Sequence, residues 1–154
     1  MTTIAYKDGI IAYDSRIVQG ITICDDDFEK CIFKDGFFFF LSGPTCDYEK
    51  FMNHFINNRD ESNLPVEGVG AFVYDKKLGA LYQVQNSENS FWYVRMETAK
   101  ICSIGSGSDH AITAMDMGAS AEAAIKMAMK RDTCTGGRIR TFKIFGYGLQ
   151  ENPQ

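Results

Sequence analysis

A chain of 154 residues has the length of one domain, here taken as 1–154, and can bury roughly two thirds of its unfolded surface without disulfide staples. Sixteen Lys and Arg against twenty Asp and Glu give a net charge of −4, 45% of residues are hydrophobic, and no basic stripe is present, which argues against a nucleic-acid partner. The densest apolar run, Phe37 to Leu41, is far below the ~20 residues of a membrane span, and Met1–Tyr6 runs straight into Lys7 and Asp8 rather than a signal-peptide core, so a cytoplasmic protein with no membrane partner is expected.

In chain order, Thr3–Tyr6 and Ile10–Tyr13 alternate around Lys7-Asp8-Gly9 and predict a β-hairpin. Ile21–Cys24 predicts a short strand before the acidic turn Asp25-Asp26-Asp27. Lys30–Phe33 and Phe37–Leu41 flank Lys34-Asp35-Gly36 as a second hairpin, and its consecutive phenylalanines suit a strand buried on both faces. Ser42-Gly43-Pro44-Thr45 breaks that strand. Cys46, Phe51, Met52, Phe55 and Ile56 then fall on one face at helical spacing.

Asn57–Glu67 is polar and predicts a surface connection. Strands follow at Gly68–Tyr74, Ala80–Gln85, Phe91–Val94 and Ile101–Ile104, the last running into Gly105-Ser106-Gly107-Ser108. One helix is expected over Asp109–Met117, and a second from the N-cap Ser120 to about Arg131. A turn over Asp132–Gly137 leads to a last strand, Arg138–Phe145, and a frayed tail from Gly146. Helices segregated from antiparallel strands give an α+β class, simplest as helices outside two stacked sheets.

Five cysteines at 24, 31, 46, 102 and 134 make no C-x-x-C pair, and with two histidines they spell no metal site. Reduced, mostly buried thiols are expected, with no cofactor and no metal. Position 2 is chemically more interesting. A Thr that follows the initiator Met becomes N-terminal once Met1 is removed. Its α-amine, with a pKa near 7.7–8.0, can then serve as base for its own hydroxyl.

Thr2-Thr3-Ile4-Ala5 leading to Ala12-Tyr13-Asp14-Ser15-Arg16 resembles the opening of proteasome β-subunits and of the bacterial proteasome-like protease HslV. Lys30-Cys31-Ile32, Leu41-Ser42-Gly43-Pro44-Thr45-Cys46-Asp47 and Val73-Tyr74-Asp75-Lys76-Lys77 are similar to further family segments. Gly105-Ser106-Gly107-Ser108 and Arg131-Asp132 followed by Thr135-Gly136-Gly137 continue the series, so that the resemblance spans Thr2 to about Ile144. It implies a four-layer αββα sandwich of the N-terminal-nucleophile hydrolase type. It also implies Thr2 as nucleophile, Asp14 and Lys30 as the buried acid and amine beside it, and Gly43 as the oxyanion donor. Ser106, Asp132 and Thr135 would position the terminal amine; the family usually has Ser where Thr135 stands. Val18, Phe28, Leu41 and Thr45 fall where the family contacts substrate, which implies a pocket for an apolar side chain.

Two departures stand out. Pro44 removes a backbone donor from the turn, and the stretch from Cys46 to Val69 has room for one helix where the family has two. One outer helical layer is therefore expected to be reduced, leaving open whether an ATP-dependent unfoldase or ring regulator docks there. The expected function is a threonine-type peptidase acting on peptides or unfolded protein in a homo-oligomeric ring. A small-molecule amidase of the same class and a non-catalytic assembly or decoy subunit are the alternatives.

Overall fold

Two Asp-Gly turns set the registers of the first half. The structure is a computed structural model and describes residues 2–88, 90–97 and 99–144. Asp8 (φ 53°) and Gly9 (φ 79°) both take positive φ, the type I′ geometry that joins β1 (Thr3–Lys7) tightly to β2 (Ile10–Tyr13). Asp35 (φ 50°) and Gly36 (φ 86°) repeat this turn between β5 (Cys31–Lys34) and β6 (Phe37–Ser42). Between these hairpins, β3 (Ile17–Gln19) and β4 (Thr22–Asp25) form a separate two-stranded ribbon. A single 3-10 turn, Thr45–Asp47, leads into α1 (Tyr48–Asn58).

Three strands follow, β7 (Val69–Asp75), β8 (Ala80–Ser87) and β9 (Ser90–Arg95), then β10 (Cys102–Gly105), α2 (Ser108–Asp116), α3 (Ala121–Arg131) and β11 (Arg140–Lys143). The Ser120 side chain accepts the Ala123 N–H at 3.1 Å and caps α3 as its position predicts. One sheet has the order β10-β1-β2-β11 and the other β5-β6-β7-β8-β9, with antiparallel pairing throughout. The molecule is thus α+β with antiparallel sheets and, among the described residues, three α-helices.

Strand β6 explains how the sheets are held. Phe38 and Phe40 join Ile4, Tyr6, Ile11 and Tyr13 of the first sheet, whereas Phe39, Leu41 and the partly buried Phe37 join Phe51 and Phe55 of α1. The phenylalanine run therefore serves two cores through the two-residue period of a strand, each fully buried ring contributing about 1.5–3 kcal/mol. A third cluster joins Ala5 and Ala12 to Ala111, Met115, Ala124, Ile125 and Ala128 on α2 and α3, where small side chains let helix and sheet approach closely.

Several local expectations change. Ile17–Gln19 is a strand that sequence pattern missed: it is short, exposed at Gln19, and pairs with β4 alone. Cys46 is exposed in the 3-10 turn and not on the buried face of α1, which starts after it and presents Tyr48 instead. The thiols are not mostly buried, since Cys24 joins Cys46 on the surface. Burial pushes the Cys31 thiol up to about 12, with the Glu29 charge adding to the effect. The polar connection after α1 is stitched inward: Leu64 and Val66 are buried, and the buried Asn86 amide donates to the Val66 carbonyl. His54 accepts this role from the helix side, its Nε2 lying 2.8 Å from the Glu61 carbonyl. The last strand is shorter than expected, and Phe145 with the tail from Gly146 lies outside the described residues.

Candidate active site

Strand ends from both sheets converge on residue 2. The β1–β2 register brings Asp14, just past β2, against the start of β1: the Thr3 N–H donates to Asp14 Oδ1 at 3.2 Å, and the Asp14 N–H to the Thr3 carbonyl at 3.3 Å. Lys30, just before β5, is held from the other sheet by the Leu41 N–H donating to its carbonyl at 3.1 Å. Lys30 Nζ donates to Asp14 Oδ1 at 2.7 Å and also to Thr2 Oγ1. Both charged side chains are 0% exposed, so each depends on the other for charge compensation.

Asp14 is further anchored through Oδ2, which accepts the Gly136 N–H at 2.9 Å. Burial pushes the Lys30 ammonium below its usual range, and the Asp14 charge and hydrogen bond oppose that shift. An ammonium donating to a hydroxyl stabilises the alkoxide that the hydroxyl would become, which makes Thr2 Oγ1 a better nucleophile.

A second constellation lies across the Thr2 main chain. Ser106 Oγ and Thr135 Oγ1 each donate to Asp132 Oδ2 at 2.6 Å, and the Cys134 N–H donates to Oδ1 at 3.1 Å. Because Thr135 spends its proton on the carboxylate, the 2.7 Å contact with Thr3 Oγ1 must run from Thr3 as donor. Ser106 Oγ, its proton likewise committed, lies 3.5 Å from the Thr2 carbonyl and keeps lone pairs free to accept an N–H. Burial alone would raise the Asp132 carboxyl, but the Ser106 and Thr135 hydroxyls, the Cys134 N–H and the His110 charge together hold it below the usual range.

The depressed group gives stability that is present above its unfolded value and lost as pH falls through its folded one. Asp132→Asn is therefore expected to lower Tm above pH ~5, with the gap closing as pH falls below ~4. Thermal melts across that range check it.

Glycines supply the closeness. Gly105 has φ +99°, and a Cβ there would run into the Thr2 carbonyl, so only glycine lets β10 pass the start of β1 at this separation. Gly105→Ala is expected to cost about 2 kcal/mol or more through strain and displacement of Thr2, measured by urea denaturation. Gly105 also lines a cavity of about 270 Å³ together with Ser42, Gly43, Gly68, Gly70, Gln85, Ile104 and Ser106. The Gly43 N–H donates to no group among the described residues, which leaves it available at the wall of that cavity.

Of the residues singled out by sequence, Thr2, Asp14 and Lys30 thus form one hydrogen-bonded group, and Ser106, Asp132 and Thr135 another. The four expected substrate contacts are less uniform. Val18 is half-buried on β3, Phe28 is half-buried against the α1-side core, and Thr45 is exposed. Leu41 does not reach the surface: it is 0% exposed because its place on β6 turns it under α1, where it shares a cluster with Phe28 and Tyr48. Tyr48 closes the same region, its hydroxyl donating to the Leu41 carbonyl at 3.3 Å.

Sequence reasoning missed Thr3, which donates to Thr135, the Gly136 N–H that holds Asp14, and the Arg16 brace. Arg16 forks onto both Asp26 oxygens at 2.8 and 3.1 Å and donates to the Thr133 carbonyl at 3.0 Å, tying the loops on either side of the site. The second Thr of Thr2-Thr3 and the glycine pair Gly136-Gly137 were the available signals.

No protein-family model matches this sequence, and no curated protein does. Solved structures do. Thiobacillus denitrificans BPH in complex with epoxomicin superposes with a TM-score of 0.65 at 16% identity, covering 94% of this chain and 99% of that one. A second structure of Thiobacillus denitrificans BPH gives 0.62 at 16% identity, covering 94% and 98%. The likeness extends over nearly the full length of both chains and shows a shared fold.

Proposed function

We propose that this chain is an N-terminal-threonine peptidase, a hydrolase of the N-terminal-nucleophile class. The observation that carries the reading is the buried Thr2–Lys30–Asp14 group, in which a hydroxyl at position 2 receives a charge-assisted hydrogen bond from a lysine compensated by an aspartate. A structural role alone gives no reason to bury a lysine against a hydroxyl at a strand end, since an apolar pair would pack there at lower desolvation cost.

Loss of Met1 frees the Thr2 α-amine. In the acylation step that amine takes the hydroxyl proton as Oγ1 bonds to the scissile carbonyl carbon. The negative charge that moves onto the carbonyl oxygen is met by the Gly43 N–H, a donor of a kind that can contribute ~3–4 kcal/mol. The C–N bond then breaks, the ammonium returns its proton to the departing amine, and an ester remains on Thr2. Water activated by the same amine hydrolyses the ester and restores the hydroxyl. Ser106, Asp132 and Thr135 hold the amine in place throughout, and Lys30 stabilises Thr2 Oγ1 as it gives up its proton.

The fold is read as the four-layer αββα arrangement of that class, with α1 and its connection standing as the reduced outer layer. A homo-oligomeric ring and a cytoplasmic setting belong to the same reading; no helix of the described residues is long and apolar enough to cross a membrane. Because a protein with this fold was solved with epoxomicin, we expect this chain to bind that compound beside Thr2. Hydrolysis of fluorogenic peptides, blocked by epoxomicin and lost in Thr2→Ala, tests the reading; undiminished cleavage by the variant overturns it.

A further inference from the structure

Ser42 brings a hydroxyl to the end of β6, where the register sets it opposite Gly70 on β7. Phe40 joins the core between the sheets and Leu41 the core under α1, so the two-residue period turns Ser42 back toward the first sheet. There its side chain meets β10. A Cβ on Gly105 would lie 3.2 Å from Ser42 Oγ and would also run into the Thr2 carbonyl. Ser42 Oγ and the main chain of Thr2 therefore stand against the same face of that glycine.

Ser42 is 7% exposed, and its hydroxyl makes no hydrogen bond to any described residue. A buried hydroxyl without a partner is costly, and a polar cavity relieves that cost by holding a water against it. Ser42 lines the cavity of about 270 Å³ beside Thr2, several times the share of one water in the liquid. Ser106 lines the same cavity, but its proton is committed to Asp132 at 2.6 Å, so it can only accept there. The proton of Ser42 is uncommitted and can be donated. One wall thus offers an acceptor and another a donor, a pair that fixes how a water held by both is turned.

We infer that Ser42, together with Ser106, holds and orients the water that hydrolyses the acyl-enzyme. The inference rests on the hydrolase reading and goes beyond it, assigning the second step to a residue that acylation does not use. The Ser42 O–H donates to one lone pair of the water, and the water donates one proton to Ser106 Oγ. Its second lone pair forms the bond to the acyl carbon while its other proton passes to the Thr2 amine. The bond from that carbon to Oγ1 then breaks, Oγ1 takes the proton back from the amine, and the free acid leaves.

The test uses the full-length chain, an activated peptide ester whose turnover is limited by deacylation, and glycinamide as a competing acceptor. An attacking amine spends its single lone pair on the acyl carbon and has none left to accept from Ser42, whereas water has two. Ser42→Ala is therefore expected to slow hydrolysis of the acyl-enzyme about fivefold, the size of one net hydrogen bond, with transfer to glycinamide nearly unchanged. The ratio of transfer product to acid then rises about fivefold. That ratio is set after acylation, so neither a loss of folded protein nor slower acylation moves it. A ratio equal to the parent's overturns the assignment, as does a variant that no longer forms the acyl-enzyme, which would make Ser42 structural. If the parent itself gives neither acyl-enzyme nor product, the hydrolase reading fails and the assignment falls with it.

Discussion

Thr2→Ala is expected to reduce peptide hydrolysis by about a thousandfold or more while leaving the fold intact. The alanine removes the Thr2 hydroxyl to which Lys30 donates, yet Lys30 keeps its 2.7 Å bond to Asp14, so the buried charge stays compensated. Activity and stability should therefore separate: peptide turnover disappears while Tm moves by no more than a few degrees. Thr2→Ser keeps a hydroxyl and an amine and should retain measurable turnover, which distinguishes loss of the nucleophile from general damage at the chain start. Initial rates on a fluorogenic peptide, with melts on the same samples, check both parts.

Lys30→Met is the second large effect, and here activity and stability should fall together. The methionine keeps the volume of the lysine stem but leaves Asp14 in a 0% exposed site without its counter-charge. Breaking a buried pair from one side costs about 3–5 kcal/mol. The lower end is expected, because Asp14 still accepts the Thr3 and Gly136 N–H groups. For a chain of this length that corresponds to a Tm drop of roughly 10 °C. Turnover measured well below the new Tm should still be down about a hundredfold or more, because the ammonium no longer steadies charge on Thr2 Oγ1. A variant that melts early but turns over normally would make Lys30 purely structural.

Much of this arrangement was legible in the residues themselves. Asp-Gly pairs at Asp8-Gly9 and Asp35-Gly36 set two hairpins because their backbone chemistry needs no help from the rest of the chain. The phenylalanine run told of two cores, since no solvent face is left for a strand that is apolar at every position. Thr2, Asp14, Lys30, Ser106, Asp132 and Thr135 were singled out as a set only through the family resemblance, and the fold brings the first three into one hydrogen-bonded group and the last three into another.

What stayed hidden depends on tertiary neighbours. Gln19 on β3 is exposed and that strand pairs only with β4, so no periodic pattern marks it. Leu41 turns inward because strand alternation places it under α1, a consequence of which helix covers which face. Leu64 and Val66 are apolar points in a polar stretch, and only the buried Asn86 amide reveals why the connection folds inward.

The central claim is that the hydroxyl of residue 2, on a free N-terminus, is the group that attacks. Its most direct test is to quench the parent protein early in turnover of an activated peptide ester and map it by mass spectrometry. The account predicts a mature N-terminus at Thr2 and the acyl half of the substrate carried on that residue. Turnover by protein that still bears Met1, or an acyl group found on any other side chain, would contradict it.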